Sequence, residues 1–193
     1  MVVKRLLKKK SEGFTLIEMI AAMVLVSILV PGISSILGGT LMNIALTQIA
    51  VLANMEAEYA QRNFIKHING VDSFSDTAND LDTDRLKFTS YLGNADYAYY
   101  IDTDGSRTIK YSKDGNMADA GILLQNVVKD TTINAVRYVS KFTYKDKNNN
   151  NLSVPVASST EVHGVELTFY LLRGESFYSY TTYAAIDKGQ LDI

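Results

Sequence analysis

Glu18 is the residue whose surroundings most narrowly define a chemical task. Between it and Glu56 the chain carries no charged side chain at all. A carboxylate at the head of such a run needs a partner, because in hydrocarbon it costs on the order of 2.5–3.5 kcal/mol near the centre and less toward the end. The residues just before it can supply one. Lys4, Arg5, Lys8, Lys9 and Lys10 form a basic cluster opposed only by Glu12, and the small residue Gly13 separates that cluster from Phe14. Cleavage after Gly13 would leave an amine on Phe14, free or methylated, at a depth similar to Glu18 in the same chain or in a neighbour. That pairing would favour one axial stagger between adjacent helices.

Other residue types give less. There is no cysteine, so disulfides, cysteine metal sites and thiol nucleophiles are excluded. His67 and His163 lack metal-ligand spacing and read as surface or helix-end residues. No glycine-rich phosphate loop, Gly-x-Ser-x-Gly elbow or His-Glu-x-x-His stands anywhere in the chain, so neither an enzyme nor a cofactor is expected. Asp72, Asp76, Asp80, Asp82 and Asp84 read as a solvated acidic linker, and Asp102-Thr103-Asp104-Gly105 as a turn without the distal glutamate of a calcium loop. Asp146, Asn148 and Asn150 keep the alternate spacing of a weak calcium candidate, and no other metal site is expected. Twelve tyrosines could form a stacking or sugar-binding surface, although strand spacing would place about half of them in the core or in cross-strand pairs.

The elements that must position these groups follow from periodicity. Phe14 to Leu37 is apolar and long enough to cross a hydrocarbon core, which takes ~20 helical residues. No small-residue cleavage site closes this run, as it would in an ordinary secretory signal. The basic cluster would hold the N-terminus in the cytoplasm and leave the C-terminal domain outside. From Gly39 the pattern turns amphipathic: Leu41, Ile44, Ala45, Ile49, Leu52 and Met55, then Tyr59, Phe64, Ile65 and Ile68. One helix is expected from about Thr15 to His67, stopped by Asn69-Gly70, with its second half packed on a globular domain. Pro31-Gly32 interrupts good helix sequence, and both a kink and local unwinding remain open.

Residues 70–95 read as a connecting loop. Tyr97–Ile101 and Arg107–Tyr111 flank an Asp-Gly turn and predict a hairpin. Gly121–Val128 reads as a short strand. Val136 to Tyr144 alternates as one strand, with Val136, Tyr138, Ser140, Phe142 and Tyr144 on one face. Val162–Leu172 and Ser176–Ala185 form the last two. The fold class is α+β, a long helix packed on an antiparallel sheet.

The string Gly13-Phe14-Thr15-Leu16-Ile17-Glu18, behind a short basic leader and before the apolar run, resembles the class III signal of type IV pilins and type II secretion pseudopilins. The resemblance implies cleavage after Gly13 by a prepilin peptidase, N-methylation of Phe14, and a role for Glu18 in docking the subunit into a filament. It also implies a locally unwound helix, for which Pro31 and Gly32 are the candidates; many pilins carry this proline a little later. A weaker likeness covers about fifty residues. Val136 to Asp146, the asparagine-rich loop, and Val162 to Phe169 resemble minor pilins and J-type minor pseudopilins.

The resulting organisation is a cleaved leader (1–13), a membrane and filament-core helix (14–38), an amphipathic helix (39–68) and a β-rich head (69–193). Removing the leader takes five of 19 basic and one of 21 acidic residues, leaving 14 against 20, a net of −6. Such a domain has no bulk attraction for nucleic acid. The expected partners are other pilin or pseudopilin subunits, the prepilin peptidase, an inner-membrane assembly platform and, before assembly, membrane lipid. The expected role is structural: a minor pilin acting in assembly initiation or at a tip. The alternatives are a secretion pseudopilin and a filament-borne adhesive module. The chain would begin as a single-pass protein of the cytoplasmic membrane and end in an extracellular or periplasmic filament.

Overall fold

The computed structural model describes residues 15–77, 79–91, 95–174 and 176–186. Gly13 and Phe14 lie outside them. A helix, α1, occupies Leu16–Ile68, within a residue of the expected bounds. Leucine, methionine and alanine favour it throughout, and Lys66 and His67 answer the carbonyls of its last turn. The chain divides into two compact units at Gln48–Ile49.

In the first unit every described side chain from Thr15 to Gln48 is exposed. Its apolar window has a mean hydropathy of 2.4 and is long enough to cross a membrane. The hydroxyls of Ser27, Thr40 and Thr47 donate to the carbonyls of Val24, Ile36 and Asn43. Such back-bonding satisfies a hydroxyl within its own helix. α1 is helical through Pro31 and Gly32. Proline removes one hydrogen bond there, but the bonds on either side carry the helix across.

The second unit places the last turns of α1 against eleven strands: β1 Val71–Phe74, β2 Leu81–Asp82, β3 Arg85–Ser90, β4 Ala95–Ile101, β5 Thr108–Ser112, β6 Gly121–Gln125, β7 Asp130–Ile133, β8 Val136–Val139, β9 Lys141–Lys145, β10 Gly164–Arg173 and β11 Ser176–Ala185. Among the described residues they form three antiparallel sheets. One has the order β1-β3-β4-β5-β6, with β2 beside β1 on the edge of β3; the second is β11-β10-β9; the third is the ribbon β7-β8.

Two expectations need correction. Residues 70–95 contain three strands rather than a loop. Of their core residues, Val71, Phe74 and Leu81 stand apart among polar residues, while Leu86 and Phe88 alternate over a stretch of only six residues. Val136–Tyr144 is not one strand but two, β8 and β9, in different sheets. The chain crosses between them at the buried Ser140, whose N–H donates to Lys129 and whose hydroxyl donates to Val128 and accepts from Tyr170 N–H. Of the five side chains expected on one face, Ser140, Phe142 and Tyr144 are buried and Val136 is exposed.

The helix buries Phe64 and Ile68 as expected, but below them its buried stripe is not the expected one. Ala53, Ala57, Ala60, Phe64 and Ile68 are fully buried, whereas Leu52, Met55 and Tyr59 are 59, 62 and 62 % exposed. Three alanines at i, i+4 and i+7 let the helix backbone approach the sheets closely. Above them Phe64 packs edge-on to Tyr99 and stacked on Phe142 (ring centroids 5.6 and 6.2 Å). Tyr144 ties the two large sheets together, its hydroxyl donating to the carbonyls of Arg85 (2.6 Å) and Asp82 (3.1 Å).

Candidate functional site

At the start of α1, Thr15 and Glu18 form a reciprocal cap. The Thr15 N–H and hydroxyl both donate to Glu18 Oε2 at 2.9 Å, and the Glu18 N–H donates weakly to Thr15 Oγ1 at 3.4 Å. This is a threonine N-cap with glutamate three residues on, which satisfies two of the helix's orphan N–H groups and sets a negative charge at the positive end of its dipole. Oε1 accepts no hydrogen bond from the described residues. One oxygen of Glu18 therefore holds the cap while the other is available to a cation. The Thr15-x-x-Glu18 spacing of this cap is visible in the sequence.

The calcium candidates fold into self-satisfied turns. Asp146 Oδ1 accepts the N–H groups of Asn148 and Asn150 at 2.8 and 2.7 Å, and its Oδ2 accepts Asn150 Nδ2. These bonds hold the Asp146 carboxyl below the usual range. Asn149 takes φ +64°, a conformation asparagine tolerates. Asp104 is likewise engaged by Ser106 and Lys110. In the acidic stretch Asp80 is buried against Lys87 and Ser75, Asp84 pairs with Lys129, and Asp76 accepts the Ser159 N–H. Among the described residues no group of three His, Asp or Glu side chains could hold a metal.

His163 is half-exposed and its ring bonds the Glu161 carbonyl at 2.9 Å. His67 is the group that sequence reasoning undervalued. It stacks on Tyr111 and Tyr97 (4.6 and 5.5 Å), its Nδ1 meets the buried Tyr99 hydroxyl at 2.6 Å, and its Nε2 faces Tyr111 at 3.4 Å. Burial, then Lys66 and Lys113, lower its pKa. The alternation of Tyr97, Tyr99 and Tyr111 on a hairpin was the available signal, but only tertiary structure brings that hairpin to the end of α1.

The decisive comparison concerns the beginning of the chain. Residues 8–30 match the family model of the prokaryotic N-terminal methylation motif. This is a prepilin-type N-terminus. It spans the end of the basic cluster, the Gly13–Phe14 junction, the Thr15–Glu18 cap and the first half of the exposed apolar helix. No curated protein and no solved structure matches the chain. The prepilin-type N-terminus implies processing by a prepilin peptidase and assembly with other pilin subunits, and it supports a structural subunit of the type IV pilin or pseudopilin kind. Its apolar helix fits a single-pass membrane anchor.

Proposed function

We propose that the chain is a minor subunit of a type IV pilus-like filament, cleaved after Gly13, N-methylated on Phe14 and seated by Glu18. The observation that carries the proposal is the Thr15–Glu18 cap at the head of a helix whose side chains to Gln48 are all exposed. Apolar surface on that scale needs lipid before assembly and other helices after it. Glu18 keeps its cap through Oε2 and offers Oε1 to the Phe14 amine of a neighbouring subunit, which fixes the stagger of the two helices. Pro31 and Gly32 are the residues at which α1 would unwind once packed among others, since proline leaves the ladder one bond short. The minor role rests on the β9, asparagine loop and β10 order, which is similar to that of minor pilins and J-type pseudopilins.

The test is to replace Glu18 by alanine and by glutamine in cells that make the filament. We expect both variants to enter the membrane and be cleaved after Gly13, as read by mass spectrometry of the mature N-terminus. Incorporation into sheared filaments should fall severely in both. Wild-type incorporation of the glutamine variant would show that charge is not what seats the subunit. Copy number relative to the most abundant subunit separates a minor from a major role.

A further inference from the structure

The face of α1 that leaves the core uncovered borders an open sheet edge. Among the described residues β6 is the last strand of its sheet and pairs only with β5. Beyond that pairing, no hydrogen bond reaches the backbone of Gly121–Gln125 from the described residues. Two adjoining hollows of about 380 and 470 Å³ run between β6 and α1, sharing Tyr59, Ile122 and Leu123. The two ends of this groove differ. Toward Gln125 it is walled by the exposed Leu52 and Met55, with Glu56 beside them bonded to Arg173. Toward Gly121 it is walled by Lys66, Lys113, Asn63 and the His67–Tyr111 stack, with no carboxylate.

Natural sheets blunt their edges with charge, proline, short strands or bulges. β1 is four residues long, carries Asp72 and is itself bulged. The long edge of β11 is engaged by α1: Gln61 donates to the Thr181 carbonyl, and the Tyr180 hydroxyl donates to Asn54. β6, with the sequence Gly-Ile-Leu-Leu-Gln, carries no charge, and Ile122 is 56 % exposed. Its one protection is a register shift opposite Ile109–Lys110. A bulge there leaves main-chain pairing irregular, so a partner on this edge is held mainly by side chains.

The charge at the upper end is not spent internally. Lys66 and Lys113 make no ion pair among the described residues, although the mature chain is acidic overall. Their field reaches His67, whose protonation both oppose.

We infer that the groove between α1 and β6 binds an extended, apolar segment of a partner protein whose carboxylate-bearing end lies at Lys66 and Lys113. Apolar side chains of the segment cover Leu52, Met55 and Ile122, and its main chain takes up the unpaired groups of β6. The opposite mouth offers the acidic end no free cation, because Arg173 is bonded to Glu56, so charge sets the segment's direction. The inference rests on the head alone and does not require Glu18 to seat the subunit.

The test uses the full chain in nanodiscs of zwitterionic lipid. The probe is a fluorescein-labelled peptide of alternating valine and threonine ending in two glutamates, followed by fluorescence anisotropy. A matched peptide ends in two glutamines and a C-terminal amide. The acidic peptide should bind about tenfold more tightly, the scale of two partly exposed charge pairs. Lys66→Glu with Lys113→Glu, both on exposed side chains, should erase that preference at a temperature where circular dichroism shows the variant still folded. Ile122→Asp should weaken both peptides. Equal binding of the two peptides to the wild type, or an undiminished preference in the charge-reversed variant, overturns the inference. So does self-association of the chain that the same substitutions abolish, because the occupant is then a second copy.

Discussion

At the residue scale, the observed cap and the proposed pairing of Glu18 are roles that substitution can separate. Glutamine can still accept from the Thr15 N–H and hydroxyl, since it serves the same position in a capping box, but it has no charge for an amine. Glu18→Gln should therefore keep the helix start intact, while Glu18→Ala loses a cap worth about 1 kcal/mol. Circular dichroism of the two purified variants in detergent should show terminal fraying only in the alanine form. His67 offers a pH-dependent counterpart. The rings of Tyr97, Tyr99 and Tyr111 and the charges of Lys66 and Lys113 face it, and its pKa lies below the ordinary 6.5. The unfolded chain thus takes the proton first. His67 contributes fully above about pH 6.5, and its contribution falls as the pH drops toward its own lower pKa. Melting curves between pH 7.5 and 5 should show a loss of stability that His67→Gln reduces. The lowered carboxyls of Asp76, Asp114, Asp130 and Asp146 act in a separate window, below their ordinary 3.8.

At the element scale, the helix stripe in contact with the sheets begins with the small Ala53, Ala57 and Ala60 before Phe64 and Ile68, while the larger Leu52, Met55 and Tyr59 face outward. This reverses the ordinary reading of amphipathic periodicity. Ala57→Leu should cost about 1–3 kcal/mol through overpacking, and Phe64→Ala about 3–5 kcal/mol through lost burial and a cavity. Leu52→Ala, at an exposed position, should stay within about 0.5 kcal/mol. Chemical denaturation of the three variants checks the order. If Leu52→Ala proved as damaging as Ala57→Leu, the assignment of the buried face would be wrong. The strands hidden in residues 70–95 follow similar logic. Asp80, Asp82 and Asp84 looked like a linker, yet Asp80 is buried between Lys87 and Ser75 while Leu81 and Leu86 fill the core. Only β3 alternates, with Leu86 and Phe88 inward, and the aspartates before it mask the shorter β1 and β2.

At the scale of the whole molecule, the chain joins two solvent regimes. Its first unit exposes apolar side chains that only lipid or other helices can cover, and its second unit has a core of its own. The proposed cleavage after Gly13 would change the electrostatic balance as well. The full chain has a net charge of −2 and a pI near 5.7, and loss of residues 1–13 takes it to −6. Isoelectric focusing should show the mature species displaced to lower pH, and Gly13→Leu, which blocks a small-residue cleavage position, should abolish that displacement.

The order of residues alone determined the beginning of the chain: the basic cluster, the Gly13–Phe14 junction, Glu18 and the length of α1. Each is a local pattern of charge, size or hydropathy, and membrane spanning depends on such patterns without regard to distant contacts. The hairpins of β4–β5 and β10–β11 were legible for the same reason, their turns lying beside the strands they join. Tertiary structure alone decided which face of α1 is buried, where Val136–Tyr144 changes sheet, and that Asp146 is held by its own loop. It also set His67 among three tyrosines and left the groove beside β6 open. Those outcomes depend on which surfaces meet across long separations in sequence, and close approach there selected alanine and serine over the larger side chains that local periodicity favours.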